Sequence, residues 1–314
     1  MRLYKGVAGL ESSPRNAVVT IGNFDGVHVG HQQLLQAIRR HADLIGGTAV
    51  AVTFRPHPHF VLRPTAAPHL INTYEEKLEL LLRYGADIVI EEPFSREFSN
   101  ISPDQFVSQM LVQKLATKVL YLGYDFAFGK ERAGSVETIR RLAESRGIEI
   151  DVVEPYKVNG QPVSSSLIRQ LLDQGDIEGV NLCLGRSFFL RGLVWRGEGR
   201  GRQIGIPTAN LQTENRKYPK VGVYASRCLW RGKWHNSISN IGYNPTFKGD
   251  GTDLPLKIET HLFDFDADMY GDEIQVEFFS FLRAEQKYSG VEALLTQIHH
   301  DIDRARAFLK GLGH

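Results

Sequence analysis

The chain has 314 residues, 42% hydrophobic and 23% charged, with a formal net charge of +1 at pH 7. That length accommodates two domains with separate cores, and the charge balance gives no general reason to bind nucleic acid or a membrane surface. No apolar run reaches the ~18 residues that a membrane helix needs. The start, Met1-Arg2-Leu3-Tyr4-Lys5-Gly6, carries no apolar signal segment, and Cys183 and Cys228 lack metal-type spacing and read as reduced thiols. The expected compartment is the cytoplasm. The expected partners are small molecules, without nucleic acid or membrane; a homo-oligomer is left open.

The first half alternates two signals. Strand-like runs at 18–21, 48–54, 87–91, 118–122 and 148–153 are separated by helix-period segments at 30–45, 74–83, 103–114 and 134–146. This alternation predicts a parallel sheet covered by helices on both faces, with ligands gathering at the carboxyl ends of the strands. Three unusual stretches follow strand ends. The first is Gly22-Asn23-Phe24-Asp25-Gly26-Val27-His28-Val29-Gly30-His31, a glycine-rich turn that opens a helix. Unpaired N–H groups at a helix start attract anions, and His28 and His31, three apart, project from one face. A His pair at this spacing also occurs as a surface pair or half a metal site. The preceding strand and the bracketing glycines favour phosphate chemistry.

The second stretch, Phe54-Arg55-Pro56-His57-Pro58-His59, has two X-Pro steps and reads as an extended, stiff loop, with histidines that are either loop polar groups or ligand contacts. In the third, Gly123-Tyr124-Asp125-Phe126-Ala127-Phe128-Gly129, Phe126 reads as core and Phe128 as a ring that could stack on a flat ligand. Further on, Ser164-Ser165-Ser166 precedes an apolar-periodic segment as N-cap material, and Arg169 falls in the first turn of that helix. A cation there is unfavourable by ~0.3–1 kcal/mol unless an anion is bound. The stretch is either a plain capped helix or a second anion site, and beside the first site phosphate binding is preferred.

Near residue 184 the pattern changes to strands alone, at 187–194, 221–229, 232–240, 256–264 and 273–282, closed by a helix at 291–309. This predicts an antiparallel β-barrel with a C-terminal helix and domains at 1–183 and 184–314. Between the first two strands lies Arg196-Gly197-Glu198-Gly199-Arg200-Gly201-Arg202-Gln203-Ile204-Gly205-Ile206-Pro207-Thr208-Ala209-Asn210. It fits neither the Walker A nor the dinucleotide fingerprint, and by itself it could be a basic flexible loop. Its glycines would let backbone N–H groups approach phosphates, and the turn residues Thr208 and Asn210 offer hard oxygens suited to Mg²⁺. Alternation places Glu259, His261 and Phe263 on one strand face. Glu259 therefore points either to solvent or into the barrel mouth, where a general base would contribute typically 10²–10⁴-fold in rate.

These motifs resemble known families. The GxFDGxHxGH form of residues 22–31 resembles the HxGH nucleotidyltransferases, and Ser164 to Arg169 resembles their later Ser-Ser-Thr-x-x-Arg element, with Ser166 where Thr is usual. The TFxPHP form around Phe54 and the Gly-x-Asp-Phe-x-Phe-Gly run narrow the resemblance to the FAD synthetase module of bacterial bifunctional riboflavin kinase/FAD synthetases. The Gly-x-Gly-Arg-x-x-Gly-x-Pro-Thr-Ala-Asn stretch, Asn240-Ile241-Gly242-Tyr243-Asn244-Pro245-Thr246-Phe247 and Glu259-Thr260-His261-Leu262 resemble riboflavin kinase. The resemblance implies a Rossmann-like HxGH nucleotidyltransferase domain (α/β) followed by an all-β barrel kinase. Riboflavin, FMN and FAD are then substrates and products, ATP is the co-substrate and Mg²⁺ the cofactor. It implies ATP contacts at Gly22, Phe24, Asp25, His28, His31, Ser164, Ser165, Ser166, Arg169, Gly199, Arg200, Gly201, Thr208 and Asn210, and a metal at Thr208 and Asn210. Flavin contacts are implied at Phe54, Pro56, Asp125, Phe128 and Asn240, and catalytic roles for His28, His31, Arg169 and Glu259. Two alternatives stand beside this reading: transfer to another phosphate acceptor, such as a pantetheine or pyridine nucleotide precursor, and a flavin-binding protein without turnover.

Overall fold

The computed structural model describes residues 2–124, 126–128, 134–197, 199–243 and 256–312, with the backbone alone at 127, 128, 134 and 200. The chain forms two compact units, Met1–Ser165 and Ser166–His314.

The first unit is built on six parallel strands, β1 (Arg2–Lys5), β2 (Ala17–Ile21), β3 (Thr48–Arg55), β4 (Ile88–Pro93), β5 (Thr117–Gly123) and β6 (Glu149–Val153). They lie in the order β1-β4-β3-β2-β5-β6. Helices α1 (Val29–Ile45), α2 (Tyr74–Arg83) and α3 (Val136–Glu144) belong to this unit. Strand alternation explains its double core. Val19, Ile21, Val50 and Val52 join one cluster, while Val18, Ala49 and Ala51 join the other, and all are buried. The chain runs outward from β2 to β3 and β4, then returns to set β5 on the other side of β2. The strand order thus reverses beside β2, whose carboxyl end carries the glycine turn.

Three local features differ from the sequence expectation. Strand β1 was not anticipated, because Arg2-Leu3-Tyr4-Lys5 is a largely exposed edge strand with little apolar pattern. The segment expected as one helix over 103–114 is a turn of α-helix, Pro103–Gln105, that runs into a π-wound stretch, Phe106–Lys114. The expected extended loop after Phe54 is not extended. The Arg55-Pro56 bond is cis, and Pro58 opens a short helix, Pro58–Leu62, capped by His57. Proline suits a first helical position because its φ is preset and its missing N–H would be unpaired there anyway.

The second unit is a closed barrel of β7 (Phe188–Trp195), β8 (Ala209–Thr213), β9 (Gly222–Trp230), β10 (Lys233–Tyr243), β11 (Leu256–Leu262) and β12 (Glu273–Arg283), ordered β7-β8-β11-β10-β9-β12. Strand β8 corrects the reading of Pro-Thr-Ala-Asn as a turn: Ala209 and Asn210 begin a strand paired to both β7 and β11. The barrel interior is apolar around Tyr224, Phe278 and Phe188, with a run of hydroxyls from Ser237 through Ser226 and Ser239 to Thr260, each step 2.8 Å. Each of these four hydroxyls therefore has a partner, as burial demands. The opposite strand face carries Val223, Ala225, Ile238 and Phe279, which pack on Ile302, Ala305 and Leu309 of the C-terminal helix α6 (Val291–Gly311). Helices α4 (Ser165–Gln174) and α5 (Ile177–Leu184) precede the barrel. Leu172 O accepts from Lys220 N, and Asn181 Nδ2 donates to Phe278 O, so both helices are tied to this unit. The compact units consequently divide at Ser165/Ser166, ahead of the switch to strands near 184.

Candidate active sites

In the first unit, β2 ends in a turn whose backbone is held in costly conformations. Phe24 has φ 51°, Gly26 83° and Val27 40°. A β-branched residue at positive φ persists only when its surroundings enforce it. Val27 is fully buried, and its carbonyl accepts from Gln32 Nε2 at 2.9 Å. A Cβ on Gly22 would meet the Phe24 ring at 3.2 Å, and one on Gly26 would meet Ile71 Cδ1 at 3.0 Å. Asp25 is buried and its Oδ1 accepts from Ile71 N at 2.9 Å. Ser165 Oγ, at the end of this unit, donates to Asp25 O at 2.8 Å.

The turn delivers His28 as the N-cap of α1, with Nδ1 accepting from His31 N at 3.4 Å. An accepting Nδ1 leaves Nε2 to carry the ring proton, so Nε2 is a donor. The His28 and His31 rings stack with centroids 3.6 Å apart and planes 19° apart, and Phe24 meets His31 edge-on at 5.2 Å. A Cβ on Gly30 would lie 3.3 Å from His28 Nδ1, so this position must stay small. The result is a helix start with imidazole donors at a strand-order reversal, where an anionic group is stabilised by backbone N–H groups and helix dipole alike.

The other expected residues of this unit are less uniform. Phe54 is 7% exposed and packs against Phe94 and Phe98 at 5.6 and 5.8 Å, so its ring belongs to the core. Pro56 is exposed. Asp125 lies outside the described residues, as does the side chain of Phe128. Helix α4 begins at Ser165, so Ser164 precedes the helix while Ser165 and Ser166 lie within it, and Arg169 falls just past the first turn rather than inside it.

In the second unit, strand register assembles the site. Asn210 pairs with Glu259, and Glu259 pairs with Asn240, so three polar side chains lie in one row across β8, β11 and β10. Ile258, Thr260 and Leu262 fill the interior, which places the Glu259 row on the face toward α6 rather than inside the barrel. A cavity of about 680 Å³ opens there, lined by Asn210, Glu259, Asn240, Thr208, Arg202 and Asp301 among others. Glu259 Oε1 is 2.8 Å from Lys257 Nζ, and Asn240 Nδ2 donates to Glu285 Oε1 at 3.0 Å. His261 Nδ1 donates to Pro207 O at 2.7 Å, fixing the approach to Thr208.

Asn210 Oδ1 is buried and has no hydrogen-bond partner among the described residues. Such an oxygen calls for a donor or a cation. Asn210 and Thr208 line the same cavity and offer hard oxygens of the kind Mg²⁺ accepts, so the residues fit that ion. The glycines explain the close approach of the loop. A Cβ on Gly197 would fall 2.5 Å from Asn210 Nδ2, and one on Gly201 would fall 2.3 Å from Ile206 O and 3.4 Å from Thr208 Oγ1. Gly199 has φ 70°, and the Arg200 side chain is outside the described set.

Two groups had no sequence signal. Arg283 donates to Asp301 Oδ2 at 2.8 Å, and Gln297 Nε2 donates to Asp301 Oδ1 at 2.9 Å, which anchors α6 beside the cavity. In the first unit Lys77 is 5% exposed, although it follows two glutamates in the sequence.

A family model described as FAD synthetase matches residues 10–167, and one described as riboflavin kinase matches residues 184–309. A protein of Listeria monocytogenes named bifunctional riboflavin kinase/FMN adenylyltransferase is 35% identical over 299 residues, covering 95% of this chain and 94% of the relative. An Escherichia coli K12 protein of the same name is 34% identical over 310 residues, 98% of each chain. A crystal structure described as a macrolide-efflux protein from Streptococcus pneumoniae shares the fold, with a TM-score of 0.86 and 29% identity over 97% of this chain and 98% of that one. Among the described residues, no helix is long and apolar enough to cross a membrane.

Proposed function

The chain belongs to the bifunctional riboflavin kinase/FMN adenylyltransferase family, and from that premise we propose how its residues divide the two reactions. Residues 184–314 phosphorylate riboflavin with ATP to give FMN. Residues 1–183 join FMN to the AMP part of a second ATP, giving FAD and pyrophosphate.

In the kinase reaction the ribityl 5′-hydroxyl attacks the γ-phosphorus of ATP. The new O–P bond forms as the bond to the bridging oxygen breaks, and ADP leaves. Glu259 takes the hydroxyl proton, and Lys257 at 2.8 Å holds its carboxylate in place. Thr208 Oγ1 and Asn210 Oδ1 would hold Mg²⁺, which when bound neutralises charge on the ATP phosphates. Gly199, Arg200 and Gly201 cover the phosphates from the loop, and Asn240 contacts the flavin side of the cavity. The observation that carries this reading is the Asn210, Glu259, Asn240 row, which sets an orphaned hard oxygen beside a carboxylate base.

In the adenylyl transfer an FMN phosphate oxygen attacks the α-phosphorus, the bond to the β,γ-diphosphate breaks, and pyrophosphate departs. A phosphate nucleophile needs no base, so the protein positions the groups and stabilises charge. His28 and His31 donate to the phosphates from the start of α1, and Gly22, Phe24 and Asp25 shape the turn around the nucleotide. The family resemblance assigns Ser164, Ser165, Ser166 and Arg169 to the departing pyrophosphate, and Pro56, Asp125 and Phe128 to the flavin. Both reactions draw on ATP, and the free thiols Cys183 and Cys228 are buried, which supports a cytoplasmic setting.

Incubation with riboflavin, ATP and Mg²⁺, followed by separation of flavins, is expected to yield FMN and then FAD. Formation of neither contradicts the reading. Offered FMN together with phosphopantetheine or nicotinamide mononucleotide, the protein is expected to adenylylate FMN; preference for either competitor would reassign the first unit.

A further inference from the structure

Lys77 is the most deeply buried cation among the described residues, and the reactions above give it no part. It extends from α2 beneath the carboxyl end of the sheet. Its Nζ donates to Thr53 Oγ1 at 2.9 Å and to Phe54 O at 3.3 Å, and lies 5.0 Å from the centre of the Tyr74 ring. Thr53 Oγ1, in turn, donates its single proton to Asn23 O at 3.2 Å. A hydroxyl that accepts from an ammonium becomes a better donor, so the two bonds reinforce each other. Asn23 belongs to the turn that delivers His28, and Gly22 N of the same turn is bonded to Val52 O at 3.0 Å. The carbonyl of Asn23 is thereby fixed from below by a chain that ends on a buried charge.

We propose that Lys77 is a positioning residue for adenylyl transfer: through Thr53 Oγ1 its ammonium holds the Asn23 carbonyl, and with it the strained turn that presents His28 and His31. This rests on the assignment of FMN adenylylation to the first unit.

The charges around Lys77 come from every side. Glu91 on β4, the register partner of Thr53, is 7% exposed, with Oε2 3.6 Å from Arg55 Nη1 and Oε1 without a hydrogen-bond partner among the described residues. Asp25 on the turn and Glu75 on α2 also favour the charged amine, Arg55 at the end of β3 opposes it, and Tyr74 covers it. Burial dominates and lowers the Lys77 pKa to about 8, with Glu91 and Asp25 opposing the shift. The amine therefore loses its proton just above neutral pH. Loss of that charge weakens the bond to Thr53 and leaves the buried Glu91 carboxylate with Arg55 as its nearby cation.

The test is the pH profile of FAD formation from supplied FMN. In the wild type kcat is expected to fall as pH rises through about 8. Thr53→Val removes the hydroxyl link at nearly constant shape. It is expected to lower kcat roughly 10–100-fold, as small misplacements of reacting groups do, and to flatten the alkaline limb, with the KM for ATP changed by no more than about twofold. Thr53→Ser restores the hydroxyl and is expected to recover both rate and limb. Lys77→Met is expected to match Thr53→Val. The inference is overturned if the wild type shows no alkaline limb, if Thr53→Val keeps the wild-type rate and limb, or if Thr53→Ser falls as far as Thr53→Val. Should Lys77→Met fail to fold, as a urea transition would reveal, the Thr53 pair decides. Failure of the wild type to make FAD from FMN would refute the functional assignment instead.

Discussion

The two candidate phosphate sites are built from different parts. In the sheet unit, a helix start supplies N–H donors and a favourable dipole, and two stacked imidazoles extend it; the positions are set by a turn that holds Val27 at φ 40°. In the barrel unit the row of polar side chains lies on antiparallel strands, whose dipoles largely cancel. Charge and coordination come instead from side chains brought into register, Asn210 beside Glu259 beside Asn240, under a glycine loop. A backbone-built site is already complete when the turn folds. A side-chain-built site leaves an unpaired oxygen, Asn210 Oδ1, for an ion to satisfy.

The contrast can be broken at either end. The largest effect is expected from His28→Ala, which removes a preorganised donor and lowers FAD formation from FMN by about 10²–10³-fold, while FMN formation from riboflavin stays at the wild-type rate. Next is Asn210→Ala. It is expected to raise the Mg²⁺ concentration for half-maximal FMN formation by at least the roughly 10–100-fold that loss of an outer-sphere partner costs, and to leave the Mg²⁺ dependence of FAD formation unchanged. An equal shift in both reactions would mean that the metal requirement is not divided as proposed. Gly197→Ala places a Cβ 2.5 Å from Asn210 Nδ2, and the amide must move. A strain of about 1–3 kcal/mol of the kind overpacking produces predicts a fall in FMN formation of roughly tenfold.

A last effect is one of stability. The pKa of Lys77 is lowered from 10.5 to about 8 by burial, so between those values the unfolded chain holds a proton that the folded chain has released. Stability rises with pH wherever the unfolded state binds more protons. The stability of the wild type relative to Lys77→Met, from urea transitions of the sheet unit, is therefore expected to increase from about pH 8 to 10.5 and to be flat below about pH 7. Activity and stability thus respond to the same proton with opposite signs.

Much of this was legible before the fold. Alternation of strand and helix signals gave the parallel sheet, because β2, β3 and β5 are buried on both faces and read as apolar runs. The glycine turn and His28 stood out because turn chemistry and helix starts are local. What stayed hidden was non-local. Strand β8 was masked by the Pro207-Thr208 start and its polar residues, so the barrel seemed one strand short and Asn210 seemed to lie in a turn. Alternation named the face of Glu259 but not its neighbours, which depend on register with distant strands. Phe54 packs against Phe94, and sequence cannot tell which aromatic a sheet will cover. Lys77 was hidden most completely. The three charges in a row, Glu75-Glu76-Lys77, carry no local signal of burial, yet Glu76 is buried with its capping box to Thr73 and Lys77 with its reach to Thr53.

Complementation between two damaged proteins tests the division of labour most directly. His28→Ala and Glu259→Ala are each supplied with riboflavin, ATP and Mg²⁺, alone and mixed, and the flavins are separated over time. The predicted result is that His28→Ala alone accumulates FMN without FAD, Glu259→Ala alone makes neither, and the mixture makes FAD, because FMN released by the first is consumed by the second. A mixture that forms FMN but no FAD, or a folded single variant of His28 that has lost FMN formation as well, would contradict it.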